Sequence, residues 1–287
     1  MRPRGLLEPT GRSAHVLADV FPAKTSTAKL RGHADMSTAR PRTTDQLVGS
    51  CASNAVPQAC AQTLAFAGTP IGFEPSVADA YRATLALRRA AEHPLLDAAA
   101  LEELFPLTDT GSQLLDVVAA VERYGLGPMG ACPVEGVFTD CDLASLARGP
   151  THASTWRGRR RLVAGCYPLD RLDDVAACLE AGIVVAIGGF VSVADFEAWT
   201  PEHAPIGVQH PGPGGGHATR LDGYAWVDAI TGRPAAPGAP GALRVWRGVN
   251  SWGERWGDRG CYWCTDAFVA GMWERYACDA RLVGGAS

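Results

Sequence analysis

Cys51 stands in the run Val-Gly-Ser-Cys-Ala-Ser-Asn-Ala, residues 48–55, directly behind Gly49 and Ser50 and in front of a stretch with helical character. A thiol is nucleophilic only as the thiolate, and the free N–H groups and dipole at a helix start favour that anion. Gly49 allows close approach of backbone or substrate, and Ser50 is a candidate cap. Two distant segments carry groups of matching chemistry. His217 follows three glycines at the mouth of a strand, and Asn250 ends another strand ahead of Ser251 and Trp252. A Cys/His pair works as thiolate and imidazolium, and an Asn carbonyl orients the ring without adding charge. Trp252 is placed to shield that hydrogen bond from water. The chemistry these three residue types support is nucleophilic acyl transfer.

Other residues compete for these roles. The chain holds nine cysteines, and a lone cysteine is more often a small buried apolar group than a nucleophile. Cys60 lies nine residues past Cys51, about 2.5 helical turns, so the two point to opposite faces and cannot share a role. His210 sits in a Pro/Gly loop with no strand behind it. Asp222 and Asp228 are candidate orienting groups, but Asp222 lies five residues along the His217 strand and points to the other face. Cys261 and Cys264 form a lone C-x-x-C in a strand-like run. Their odd separation argues against a redox dithiol or half a zinc site, and Cys132 and Cys141 are too far apart to complete one. No metal and no cofactor is called for. Tryptophans 246, 252, 256, 263 and 273 read as core and cleft wall.

The elements that must position these groups change character along the chain. Residues 1–45 lack periodicity and read as an extended arm. Helical patterns follow from Ser50 to Gly68, with Pro57 inside the first, then at 76–92 and at 111–124 before Gly125. Residues 126–160 are irregular and lead into the cluster Arg157, Arg159, Arg160 and Arg161, read as a solvated loop. Strand patterns then dominate: 161–169, 183–190, 217–227 and 244–252, with a short helix at 172–182 and a turn-rich insertion at 236–242. Helices before strands predict two segregated lobes, an α+β arrangement, and not a doubly wound sheet.

Composition sets the outer limits. With 287 residues, 47% of them hydrophobic, the chain can bury a substantial core as one large domain or two small ones. A net charge of −4 does not ask for nucleic acid or an anionic membrane as partner. No run approaches the ~20 apolar residues of a membrane span. The basic N-terminus lacks an apolar stretch of the secretory kind, so reduced thiols and a cytoplasmic location are expected.

Taken together, the segments resemble the papain-like cysteine peptidases, especially their short bacterial and viral-type members. The residues that carry the resemblance are Gln46, Gly49-Ser50-Cys51, Gly216-His217-Ala218, Gly223-Tyr224, and the run from Asn250-Ser251-Trp252-Gly253 through Trp256-Gly257 to Gly260-Cys261-Tyr262. They occur in family order between about residues 20 and 270, and the Asn-Ser-Trp-Gly-x-x-Trp-Gly block is the most specific part. The resemblance implies a papain-like two-lobe fold: a helical lobe over 46–160 carrying Cys51, a β-barrel-like lobe over 161–287 carrying His217 and Asn250, and the active site in the cleft between them. It implies a thiol peptidase acting on peptide or protein substrates, with Cys51 as nucleophile, His217 as general base and acid, Asn250 as orienting residue, and Gln46 donating to the oxyanion beside the Cys51 amide.

The chain departs from the family pattern at four points. Gln46 is five residues before Cys51, where the family has six. Ala52 replaces the usual aromatic residue after the nucleophile. Val48 replaces a cysteine that commonly forms a disulfide. About 45 residues precede Gln46, fewer than the usual helical pro-region. His217 also follows Cys51 by 166 residues, beyond the ~130–150 typical of papain and cathepsins. Two alternatives stay open: a non-catalytic or specialised papain-fold component of a larger assembly, such as a phage particle, and an amide hydrolase or transamidase using the same three residues.

Overall fold

The helix that opens at Cys51 is enclosed on every side. It runs Cys51–Phe66 (α1), and every residue from Cys51 to Leu64 is buried. Its small residues, mostly Ala, Ser, Cys and Thr, let neighbouring layers close on it all round, the pattern of a helix inside a core. The structure, a computed structural model, describes residues 31–130, 137–144, 162–208 and 213–282. The arginine cluster at 157–161, Cys132 and His210 lie outside the described residues.

Two helices of the first lobe pack on α1, Val77–Glu92 (α2) and Leu114–Tyr124 (α4), and a third, Ala98–Leu104 (α3), packs on α2. The start of α2 is doubly fixed. Ser76 Oγ accepts the Asp79 N–H at 3.0 Å, and Asp140 Oδ1 accepts those of Val77 and Ala78 at 3.1 Å each. Gly125 ends α4, as expected, with φ +75° and ψ −168°, a backbone that favours glycine. The sequence pattern missed α3, whose start is capped by Asp97 accepting the Ala100 N–H at 2.9 Å.

The second lobe is an antiparallel sheet. A two-residue strand, Ala34–Asp35 (β1), precedes Leu162–Pro168 (β2), Val185–Ser192 (β3), Gly214–Asp228 (β4), Ala242–Val249 (β5), Cys261–Thr265 (β6) and Glu274–Leu282 (β7). Strand order is β2-β7-β3-β4-β5-β6, with β1 pairing Tyr224 and Gly223 of β4. Short helices Leu172–Glu180 (α5), Val193–Phe196 (α6) and Asp266–Ala270 (α7) link the strands. The described part of the arm before residue 46 lies against this sheet: Met36 has no exposed surface and donates its N–H to the Asp222 carbonyl.

The lobes meet where α1 packs on β4 and β7. Asp222 is an extra residue of β4 at a register shift between Leu221 and Gly223, and such a bulge re-aims a side chain. Its carboxylate, fully buried, accepts from Arg40 Nε at 2.7 Å, Arg247 Nε at 2.7 Å and Gln62 Nε2 of α1 at 2.9 Å. Burial pushes the Asp222 pKa up, but the Arg40 and Arg247 guanidiniums outweigh it and leave the pKa lowered. Asp222 thus holds the seam together and is engaged far from His217. A second seam contact has the opposite electrostatics. Glu274 accepts the Leu114 N–H at the start of α4 at 3.5 Å, its Oε1 has no partner, and burial raises its pKa to about 7.

Candidate active site

The nucleophile candidate occupies the first position of α1. Ser50 is the N-cap residue, yet its hydroxyl makes no capping bond, and the first turn holds no acidic side chain. Nothing of that kind competes with a thiolate for the positive end of the helix. Instead, Asn54 Nδ2 donates to the Ser50 carbonyl at 3.0 Å, and the Thr44 hydroxyl donates to Asn54 Oδ1. The Gly49 N–H is held by Asp109 Oδ1 at 2.8 Å, which also accepts from Tyr81.

His217 and Asn250 are joined directly. His217 Nε2 lies 2.8 Å from Asn250 Oδ1. A carbonyl oxygen only accepts, so Nε2 carries the hydrogen of this bond and Nδ1 is the basic nitrogen of the neutral ring. Asn250 is itself oriented, because its Oδ1 also accepts the Ser251 N–H at 2.8 Å and its own N–H bonds the Gly260 carbonyl at 2.8 Å.

Two observations bring the Cys51 loop to this pair. First, Gln46 donates its backbone N–H to the Ser251 carbonyl at 2.7 Å and accepts from Ser251 Oγ at 2.8 Å. Second, α1 and β4 share a contact at their far ends, Gln62 on Asp222. Gln62 is eleven helical residues beyond Cys51 and Asp222 five strand residues beyond His217. Both intervals span about 16–17 Å. All three residues are buried: Cys51 has no exposed surface, and His217 and Asn250 are each 1% exposed. A low-dielectric setting strengthens the attraction between opposite charges.

Among solved structures, the chain is similar to xylellain, a cysteine protease from Xylella fastidiosa, with TM-score 0.60 and 18% identity over 97% of each chain. It is also similar to procathepsin B S9 from Trypanosoma congolense, with TM-score 0.66 and 12% identity over 98% of this chain and 87% of that one. For procathepsin L 3 of the Tenebrio molitor larval midgut the values are 0.58 and 15%, over 96% and 75%. No protein-family model and no curated protein matches the chain. The fold is papain-like.

In this papain-like fold the Asn-Ser-Trp-Gly turn is shaped by its glycine. Gly253 has φ +75°, and a Cβ there would lie 2.0 Å from Asp45 Oδ1. Its N–H bonds the Thr44 carbonyl at 2.9 Å, and Asp45 bridges Trp252, so the turn docks on the segment that carries Gln46. The side chain of Gln46 donates from Nε2 to the Val48 carbonyl at 2.8 Å. That bond uses one of the two hydrogens on the amide nitrogen.

Trp252 packs against His217, ring centroids 5.1 Å apart. Sequence reasoning missed Phe196, which is buried on α6 with its centroid 5.7 Å from the imidazole. Its only signal is one aromatic in Val-Ala-Asp-Phe after a buried strand. Cys261 and Cys264 do not pair: Cys261 Sγ accepts from Arg40 at 2.9 Å, and Cys264 Sγ bonds the Trp246 carbonyl. Cys60 packs at the other side of α1 beside Cys278, whose contact together with burial raises its pKa. Among the described residues, no group of three or more His, Cys, Asp or Glu is arranged to hold a metal ion.

Proposed function

We propose that the chain is a papain-like thiol peptidase. The observation that carries the reading is the 2.8 Å bond from His217 Nε2 to Asn250 Oδ1, in a site tied to the Cys51 loop through Gln46 and Ser251. In this reading His217 Nδ1 takes the Cys51 proton, giving a thiolate at the start of α1 and an imidazolium held by Asn250. The sulfur attacks the peptide carbonyl carbon. The tetrahedral oxyanion accepts from the Cys51 N–H and from the Gln46 side-chain amide. The imidazolium then protonates the departing amine, leaving an acyl-enzyme. Water, deprotonated by the imidazole, attacks the thioester, and collapse releases the acid and restores the thiol.

The test is turnover of a generic peptide substrate by wild type and by Cys51→Ala. Wild type is expected to cleave, and the variant to keep its fold and lose turnover entirely. Cleavage by Cys51→Ala would refute the assignment. The complete burial of Cys51 favours a second reading, a papain-fold component that binds peptide without cleaving it. Labelling by an epoxide thiol trap separates the two: rapid modification of Cys51 supports the peptidase, and modification no faster than that of free cysteine supports the binding component.

A further inference from the structure

One hydrogen bond fixes a direction for the His217 ring but leaves rotation about that line. Packing removes the freedom. Trp252 lies tilted against the imidazole at 5.1 Å and 36°. Phe196 closes a second side at 5.7 Å and 72°, an edge-to-face arrangement. Phe196 is itself immobilised. It has no exposed surface, and its ring packs on Trp252 at 5.3 Å, Trp256 at 5.2 Å, Tyr262 at 4.9 Å and Phe268 at 6.2 Å. Those four partners come from residues 252–268, whereas Phe196 comes from the single helical turn after β3. A side chain from a separate segment therefore reaches through that aromatic group to the imidazole.

We propose that Phe196 is a positioning residue for His217, forming with Trp252 an aromatic cage that holds the imidazole in the one rotation that serves both Asn250 and Cys51. The inference rests on the Cys51–His217 chemistry proposed above. A ring held in that rotation keeps Nδ1 turned to the sulfur, and a ring free to turn does not.

The experiment is the rate of Cys51 alkylation by iodoacetamide, read by mass spectrometry of the Cys51 peptide at about pH 6 and about pH 9. Wild type is expected to react at both. Phe196→Leu is expected to lose about tenfold at the lower pH and little at the higher, with kcat falling and KM nearly unchanged. Phe268→Leu removes a ring that stacks on Phe196 and has no ring contact with His217, so it is expected to destabilise the fold while keeping the wild-type ratio of rates. An unchanged ratio in Phe196→Leu overturns the cage alone. A wild-type rate at about pH 6 no faster than that of free cysteine overturns the Cys51–His217 pair, and with it the role given to Phe196. Should Phe196→Leu fail to fold, 15N relaxation of the wild-type imidazole decides: one rigid rotamer supports the cage, and averaging between rotamers overturns it.

Discussion

The two ends of the α1–β4 contact are built on opposite principles. At the Cys51 end the groups around the imidazole are neutral or aromatic, an Asn in place of a carboxylate and two rings, and the carboxylate beside the helix start, Asp109, is taken up by the Gly49 N–H and Tyr81. At the Gln62 end a buried carboxylate is surrounded by guanidiniums, with Arg40 and Arg247 on Asp222 and Arg220 Nε donating to Gln62 Oε1 at 3.1 Å. There burial lowers the Arg220 pKa to about 10. The difference is one of placement. Fixed charges lock the lobes five strand residues beyond His217, whereas the groups that touch the His217 ring are an amide and two aromatic rings.

Variants can break either end alone. At the neutral end, Asn250→Ala leaves the His217 ring without its acceptor. It is expected to lower kcat/KM by about 10²-fold or more, with little loss in denaturation midpoint. At the charged end, Asp222→Asn leaves buried guanidiniums without a counter-charge and is expected to cost about 3–5 kcal/mol in urea unfolding, with the alkylation ratio of Cys51 unchanged in the protein that remains folded. A shift of that ratio would show that the two ends are not separable.

The carboxylates at the seam sharpen the contrast through pH. Asp222 has a lowered pKa, so its contribution is present above its unfolded value and is lost as pH falls through the folded one. Glu274 is raised from 4.5 to about 7. Its contribution is complete below about 4.5 and disappears as pH rises through about 7. Glu274→Gln is therefore expected to raise stability at alkaline pH by on the order of 1 kcal/mol and to flatten the fall between these two values, measured by chemical denaturation.

The smallest expected difference compares two helix starts. Ser76 caps α2 through its hydroxyl and Ser50 does not cap α1. Ser76→Ala is expected to cost about 1 kcal/mol, and Ser50→Ala less than about 0.5 kcal/mol through lost capping. A larger loss at Ser50 would mean that its contact with Asn54 carries weight of its own.

These contrasts also mark what the sequence reveals. The neutral end was legible because its residue types are chemically constrained. Only glycine fits at position 253, where φ is positive and Asp45 leaves no room for a Cβ, so the Asn-Ser-Trp-Gly turn is readable as a turn. The stop at Gly125 was readable from its residue type, and the start at Cys51 was placed correctly although the Ser50 cap expected there is not made. The charged end was not. Asp222 lies in a bulge, and a bulge depends on pairing with β5, which no local pattern encodes. β7 was missed because Glu274, Arg275, Asp279 and Arg281 interrupt its apolar residues, although the sheet buries Glu274. Phe196 was missed because one aromatic on a four-residue helix has no period. The short Gln46–Cys51 spacing was visible, but the bonds that hold Gln46 to Ser251 belong to a loop more than two hundred residues later.

The central claim is that the Cys51 thiol is ionised by His217. Thiolate absorbance in the ultraviolet, taken as the difference between wild type and Cys51→Ala at about pH 6, measures it directly because the other cysteines cancel. The account predicts one thiolate per chain, abolished in the His217→Ala protein. No difference signal at that pH, or a signal that survives His217→Ala, would contradict it.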